Sequence, residues 1–136
     1  MSRSHERVNP ESLAVPSGFS HAVVSSGGRT VWLAGQTALD ADGTIVGAGD
    51  IVAQYDRALA NLLTALDAAG GRPEHLVAMT AYLVDVDAYR ERSREIGHVW
   101  RRLVGRDYPS MAVVGVTRLW EPDALVELQA VAVVPA

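Results

Sequence analysis

The chain has 136 residues, a formal net charge of −4 and no cysteine. This length suits one domain that buries roughly two-thirds of its unfolded surface, and the lack of cysteine excludes disulfides, thiol nucleophiles and thiolate metal sites. The negative charge, with arginines interspersed among acidic residues, argues against nucleic-acid binding. No apolar run approaches the roughly 18 residues of a membrane span, and the polar N-terminus lacks a signal-peptide core. We therefore expect a cytoplasmic protein without membrane contact.

The N-terminal part of the chain combines a polar segment with two strand-like runs. Residues 1–17 contain two prolines among polar side chains, which predicts an irregular lead-in to a single domain over 18–136. The runs 21–25 and 30–36 are rich in strand-forming residues and flank a Gly-Gly pair. Such a pair supplies the positive φ angles of a tight turn, so these runs are predicted to form a hairpin.

The middle of the chain is predicted as helix, strand and helix. Apolar residues recur at helical spacing from 50 to 69, with Asp50 suited to cap the first turn. A strand is predicted over 75–84 and a second helix over 87–104, because the apolar period changes from one segment to the next.

The two closing strands, 109–116 and 126–133, are apolar at nearly every position. A strand covered on one side alternates apolar with polar residues, whereas a continuous apolar run indicates burial on both faces. Glu127 interrupts the second run, so it is predicted to lie in a poorly solvated place. Desolvation would favour its neutral form, which could donate as well as accept a proton.

The predicted order is β-β-α-β-α-β-β, an α+β fold in which both helices pack on one face of a sheet. The other face is also apolar, since Trp32 and Ala34 share one side of their strand and Ala112 and Val114 share one side of theirs. A monomer would expose this face to water. We therefore expect other copies of the chain to cover it.

Four short motifs occur in order between residues 17 and 134. They are Gly18-Phe19-Ser20-His21-Ala22-Val23, Ala34-Gly35-Gln36, Pro109-x-Met111 and Glu127-x-x-Ala130-x-Ala132-Val133. Together with the element order, they resemble the Rid (YjgF-type) reactive-intermediate deaminase family. The resemblance implies a chorismate-mutase-like fold, a homotrimer whose sheets line a central β-barrel, and three small-molecule pockets between subunits.

Members of that family hydrolyse reactive imines, the tautomers of enamines such as 2-aminoacrylate, to a 2-keto acid and ammonium. The resemblance implies an arginine that clamps the substrate carboxylate and a glutamate that handles water and protons. This chain keeps the glutamate as Glu127 but has Met111 at the position of the arginine and Val113 where a small residue is usual. We expect very weak 2-aminoacrylate hydrolysis, because the carboxylate clamp is missing.

Other pocket positions also depart from the family pattern. Phe19 replaces a tyrosine, Ala34 the serine of Ser-Gly-Gln, Tyr89 a phenylalanine and Ser93 an asparagine. The resemblance therefore implies a more apolar pocket with Glu127 as its catalytic acid/base. The predicted substrate-binding residues are Phe19, Ala34, Gly35, Tyr89, Ser93, Met111 and Val113.

Two functions remain open from the sequence. One is a cofactor-free enzyme acting on an imine, enamine or carbonyl compound, with Glu127 enclosed by Phe19, Met111, Val113 and Leu125. The other is a non-catalytic trimer that binds a small molecule or a partner protein. Glu127 could instead be half-exposed at the rim of the barrel, or form a structural ion pair with Arg118 of a neighbouring copy.

The histidines add little to either function. His21 could reach the edge of the pocket or serve as a hydrogen-bonded structural residue. No two histidines have the spacing of metal ligands, so neither a metal nor a cofactor is expected.

Overall fold

The computed structural model describes residues 5–136, which form a two-stranded sheet, a four-stranded sheet and three helices. The elements are β1 (Glu6–Val8), β2 (Ala22–Val24), β3 (Arg29–Gln36), α1 (Ile51–Ala68), β4 (Leu76–Leu83), α2 (Val86–Glu91), α3 (Ser93–Leu103), β5 (Ser110–Gly115) and β6 (Val126–Val134). A 3-10 turn at Pro73–His75 leads into β4. In the part of the chain that is described, no helix is long and apolar enough to cross a membrane.

The four-stranded sheet has the order β3-β6-β4-β5. The β4–β5 pair is parallel and the other two pairs are antiparallel. Strand β6 shows how the sheet divides the molecule, because Val126, Leu128, Ala130 and Ala132 are buried in the core on the helix side while Gln129 on the other side is exposed. The prediction of helices on one face of a sheet is therefore confirmed.

Helix α1 forms as predicted and carries the largest part of the core. The Asp50 side chain accepts hydrogen bonds from the N–H groups of Val52 and Ala53, so it caps the first turn. The buried face follows the helical period, and the side chains of Tyr55, Leu59, Leu62 and Leu66 pack on the sheet.

The second predicted helix is in fact two helices, α2 and α3, which meet at Arg92. Asp85 caps α2 by accepting a hydrogen bond from the N–H of Ala88. The backbone of Arg92 has φ −106° and ψ 18°, outside helical geometry, and α3 begins at the next residue. Tyr89 of α2 and Trp100 of α3 both reach the core from this interrupted segment.

The predicted hairpin of the first two strand runs is wrong. Strand β2 pairs with β1 in a separate antiparallel sheet, with Glu6 opposite Val24 and Val8 opposite Ala22. Part of the predicted irregular lead-in is therefore a strand. The polar sequence around β1 carries no hydropathy signal, and its pairing uses main-chain groups that every residue type possesses.

The face of the four-stranded sheet that points away from the helices is uncovered. We call it the open face; its members include Trp32, Ala34, Thr80, Tyr82, Val114, Glu127, Gln129 and Val131. Trp32 is 78% exposed there.

Candidate functional site

Five of the predicted substrate-binding residues line one groove between β5 and α3, on the helix side of the sheet. They are Phe19, Tyr89, Ser93, Met111 and Val113. The groove, here called the α3 groove, has a volume of about 450 Å³. Strand β5 is the edge strand of the four-stranded sheet, and the segment that contains Phe19 lies beside its start, where Ser20 forms a parallel bridge with Ser110.

The register of the sheet decides which β5 side chains reach the α3 groove. Met111 pairs with Met79 and Val113 pairs with Ala81, and both partners on β4 are buried in the core. Paired residues of neighbouring strands point to the same face. Met111 and Val113 therefore point toward the helices.

The α3 groove also contains aromatic and cationic side chains that the sequence analysis did not assign to the site. These are Tyr55, Arg94, Trp100, Arg101 and Tyr108. Trp100 and Tyr108 stack with ring centroids 5.8 Å apart, and Tyr55 and Tyr89 meet edge to face at 6.0 Å. The two arginines of this groove were not predicted from the sequence.

A sequence signal for the cations did exist. Arg94, Gly97 and Arg101 have the i, i+3, i+7 spacing of one helix face, and all three line the groove. What the sequence does not show is which face of α3 meets β5, because that depends on packing between distant segments.

Two tyrosines of the α3 groove, Tyr55 and Tyr89, are held in their neutral form. Burial raises the pKa of Tyr55 far above its ordinary value, and the nearby Tyr89 and Tyr108 raise it further. Burial also raises the pKa of Tyr89. The phenols can therefore donate hydrogen bonds over the whole physiological pH range.

Glu127 lies on the open face, away from the α3 groove. It pairs across the sheet with Tyr82, which in turn pairs with Val114 of β5. Its side chain is half-buried and packs against Gly35, where an added Cβ would lie 2.8 Å from the Glu127 Cδ. Among residues 5–136, Glu127 has no ion-pair or side-chain hydrogen-bond partner.

Within one chain, Glu127 is not enclosed by Phe19, Met111 and Val113. Val114, not Val113, shares a face with Glu127, so the carboxylate and the α3 groove lie on opposite faces of the sheet. The site residues form two groups. Ala34, Gly35 and Glu127 constitute the second group, and Ala34 borders a shallow depression on the open face.

The side-chain amide of Gln54, which is fully buried on α1, holds the segment around Leu125 just before β6. Its Oε1 accepts a hydrogen bond from the N–H of Leu125 (2.8 Å). Its Nε2 donates to the carbonyl oxygens of Gly47 (3.2 Å) and Asp123 (3.0 Å). These bonds position the segment that leads to Glu127. The sequence analysis missed Gln54, because a lone glutamine on a helix usually faces solvent.

Local contacts hold the His21 side chain next to Phe19, which lines the α3 groove. Its Nε2 lies 2.7 Å from the carbonyl oxygen of Ala14, and its ring meets Phe19 edge to face at 5.1 Å. In the described residues, no three His, Asp or Glu side chains come together in a way that could hold a metal ion.

Comparison with known proteins decides the family. A family model described as endoribonuclease L-PSP matches residues 10–134, nearly the whole chain. The chain is a member of the Rid (YjgF-type) family.

Its relatives match along most of their length. A Rid-family protein of unknown function from Yersinia pestis, YyfB, has a crystal structure that matches with a TM-score of 0.86 and 34% identity, over 96% of this chain and 99% of that one. Protein DfrA of Myxococcus xanthus is 32% identical over 85% of this chain and 84% of its own. The RutC family protein UK114 of Drosophila melanogaster is 30% identical over 84% of this chain and 78% of its own.

Proposed function

We propose that this Rid-family protein is a cofactor-free enzyme that acts on an imine, enamine or carbonyl compound, with Glu127 as the acid/base. The arrangement of Glu127 carries the proposal. Its carboxylate is half-buried, packs on a glycine and has no ion-pair or hydrogen-bond partner within residues 5–136. A carboxylate held in this way is available to a substrate or a water molecule.

For an imine, the proposed reaction is hydrolysis. The imine reacts as its protonated form. Glu127 accepts a proton from water as the water oxygen bonds to the imine carbon, and the carbon–nitrogen double bond becomes a single bond to a neutral amine. Glu127 then returns the proton to that nitrogen. As the carbon–nitrogen bond breaks, the hydroxyl oxygen gives its proton to Glu127, a carbonyl compound and ammonia leave, and the ammonia takes this proton as ammonium. In its protonated form, the same carboxyl group can protonate an enamine carbon to form the protonated imine.

The division of the site residues supports a homotrimer with pockets between its subunits. In one chain, the α3 groove and Glu127 lie on opposite faces of the sheet, so a single pocket can use both only if the groove of one copy meets the open face of another. The exposure of Trp32 and Val114 on the open face, 78% and 39%, favours such an assembly.

Efficient 2-aminoacrylate hydrolysis is not part of the proposal. Met111 occupies the position from which the family arginine would reach a carboxylate next to the reacting carbon. Nor do we propose RNA cleavage, although a similar structure from Thermotoga maritima is described as a putative endoribonuclease. A net charge of −4 offers no electrostatic support for binding a polyanion.

The test is turnover of a panel of imines, formed in solution by an amino-acid oxidase, and of neutral carbonyl compounds. Glu127→Gln should abolish product formation. Light scattering should show that this variant has the same oligomeric state as the wild type. Glu91→Gln, at an exposed glutamate of α2, is the matched control and should keep full activity. Unchanged turnover in Glu127→Gln would exclude the acid/base role. Binding without turnover of any compound would instead favour the non-catalytic trimer.

A further inference from the structure

The arginines at α3 differ in their partners. Arg92 and Arg102 each form an ion pair with a carboxylate. Arg94 and Arg101, which line the α3 groove, have no carboxylate within 4 Å among residues 5–136. Of these four arginines, the two that line the groove are therefore the ones without an ion-pair partner in the described chain.

Gly97 leaves room for the guanidinium group of Arg101. It lies between Arg94 and Arg101 on one helix face, and the Nη1 and Nη2 atoms of Arg101 come within 3.4 and 3.9 Å of the position that a Cβ of Gly97 would take. The Arg101 side chain thus folds back over Gly97 toward the N-terminal end of α3, where Arg94 lies. Both arginines line the same groove.

Three tyrosines of the α3 groove also lack partners. Within the described chain, the tyrosine hydroxyl that donates to another side chain is that of Tyr82, on the open face. The hydroxyls of Tyr55, Tyr89 and Tyr108 make no such bond, although Tyr55 is only 2% exposed. These hydroxyls are not sealed from solvent, and as groove-lining donors without a protein partner they are available to the acceptor oxygens of a ligand.

The remaining walls of the α3 groove are flat and apolar. Phe19 and Met111 line it on the strand side, and the stacked rings of Trp100 and Tyr108 line it on the helix side. Such walls suit an aromatic ring or another flat apolar group.

We propose that the α3 groove binds a carboxylate with an aromatic body, with Arg94 and Arg101 holding the carboxylate and the tyrosine hydroxyls donating to its oxygens. In this arrangement, the positive charges that hold the carboxylate come from α3 and not from the β5 position that Met111 occupies. The inference rests on the proposed function in one respect, since it names the substrate class of that same pocket. The pocket should therefore prefer larger arylalkyl acids to three-carbon substrates.

Calorimetry on the full-length protein tests this site with three probes: 3-phenylpropionate, its neutral amide and propionate. The wild type should bind 3-phenylpropionate at least about tenfold more tightly than either of the others. The double variant Arg94→Gln/Arg101→Gln should bind the acid and the amide equally. Its matched control, Arg92→Gln/Arg102→Gln, changes the same number of charges at the same helix and should keep the wild-type preference.

Two further variants separate this inference from the proposed function. Tyr55→Phe should weaken binding of 3-phenylpropionate while its melting temperature stays close to that of the wild type. Glu127→Gln should still bind 3-phenylpropionate more tightly than its amide, whether or not it turns over a substrate, so this preference can hold even if Glu127 is not the acid/base. Equal affinity of the wild type for acid and amide, or an unchanged preference in Arg94→Gln/Arg101→Gln, would overturn the inference.

Discussion

The carboxylate of Glu127 rests on the Cα of Gly35, with no room between them for a methyl group. Gly35 lies where the pairing of β3 with β6 shifts register, between Leu33 and Gln36. The irregular backbone and the missing side chain together create the place that Glu127 occupies. The glycine is therefore a packing partner of the proposed acid/base and not simply a turn residue.

Gly35→Ala should move Glu127 and reduce turnover by about 10²-fold, because a displacement of roughly 1 Å is enough to misalign a catalytic group. The melting temperature should change little, since the added methyl group meets the end of a flexible side chain. Steady-state kinetics and thermal unfolding of the same preparations measure both effects. Gly115→Ala adds the same methyl group at the end of β5, beside Val86, and is the control that should retain most of the activity. Wild-type turnover in Gly35→Ala would argue against a positioned Glu127.

Mixed assemblies test whether each pocket uses two copies of the chain. Val113→Arg should block the α3 groove, and Glu127→Gln should remove the acid/base, so each variant alone should be inactive. If the pockets lie between subunits, random co-assembly of equal amounts should leave about one quarter of the pockets intact. Activity should reappear after the two inactive proteins are unfolded and refolded together. If the refolded proteins form mixed trimers but show no activity, the whole site must lie within one chain.

Trp32→Glu should prevent assembly while leaving the fold intact. Trp32 is 78% exposed on the open face and lies outside the core, so a charge there should hardly lower the stability of the folded monomer. In a trimer the same charge would lose its contact with water, which disfavours assembly. Light scattering should show a monomer with wild-type circular dichroism. Trp120→Glu changes a 92% exposed tryptophan in the loop between β5 and β6 and should leave the oligomer unchanged. An oligomeric Trp32→Glu protein would exclude the open face as the interface.

The stability of the fold should depend on pH through His75. This side chain is 7% exposed, and its Nδ1 accepts a hydrogen bond from the N–H of Arg72 at 2.9 Å. Burial lowers the pKa of His75, and the positive charges of His5 and Arg72 lower it further, although Glu74 opposes them. Below a pH of about 6.5 the unfolded chain therefore binds more protons than the folded one.

The stabilising contribution of neutral His75 is thus present above about pH 6.5 and declines as the pH falls toward its folded-state pKa. Urea unfolding at pH 7.5 and pH 5.5 should show a larger loss of unfolding free energy in the wild type than in His75→Gln, whose amide oxygen can still accept from Arg72. An equal loss in both proteins would show that other groups cause the pH dependence.

Local patterns in the sequence were enough to predict most of the elements. Asp50 caps α1 as expected, and the apolar period of the following residues matches the face that packs on the sheet. The break at Arg92 was not predicted, because the apolar period continues through it from Tyr89 to Trp100. The pairing of β1 with β2 was missed for a different reason, since it depends on main-chain contacts between residues far apart in sequence.

The sequence by itself determined the order of the elements from β2 to β6 apart from the break at Arg92, as well as the family and the presence of an apolar open face, because these follow from local periodicity and from short motifs. Only the tertiary structure decided how the site residues are grouped. Glu127 and Met111 fall on opposite faces of the sheet because β4 pairs with β6 in one register and with β5 in another. Arg94 and Arg101 join Met111 in one groove because α3 packs beside β5, a contact between segments that no local pattern encodes.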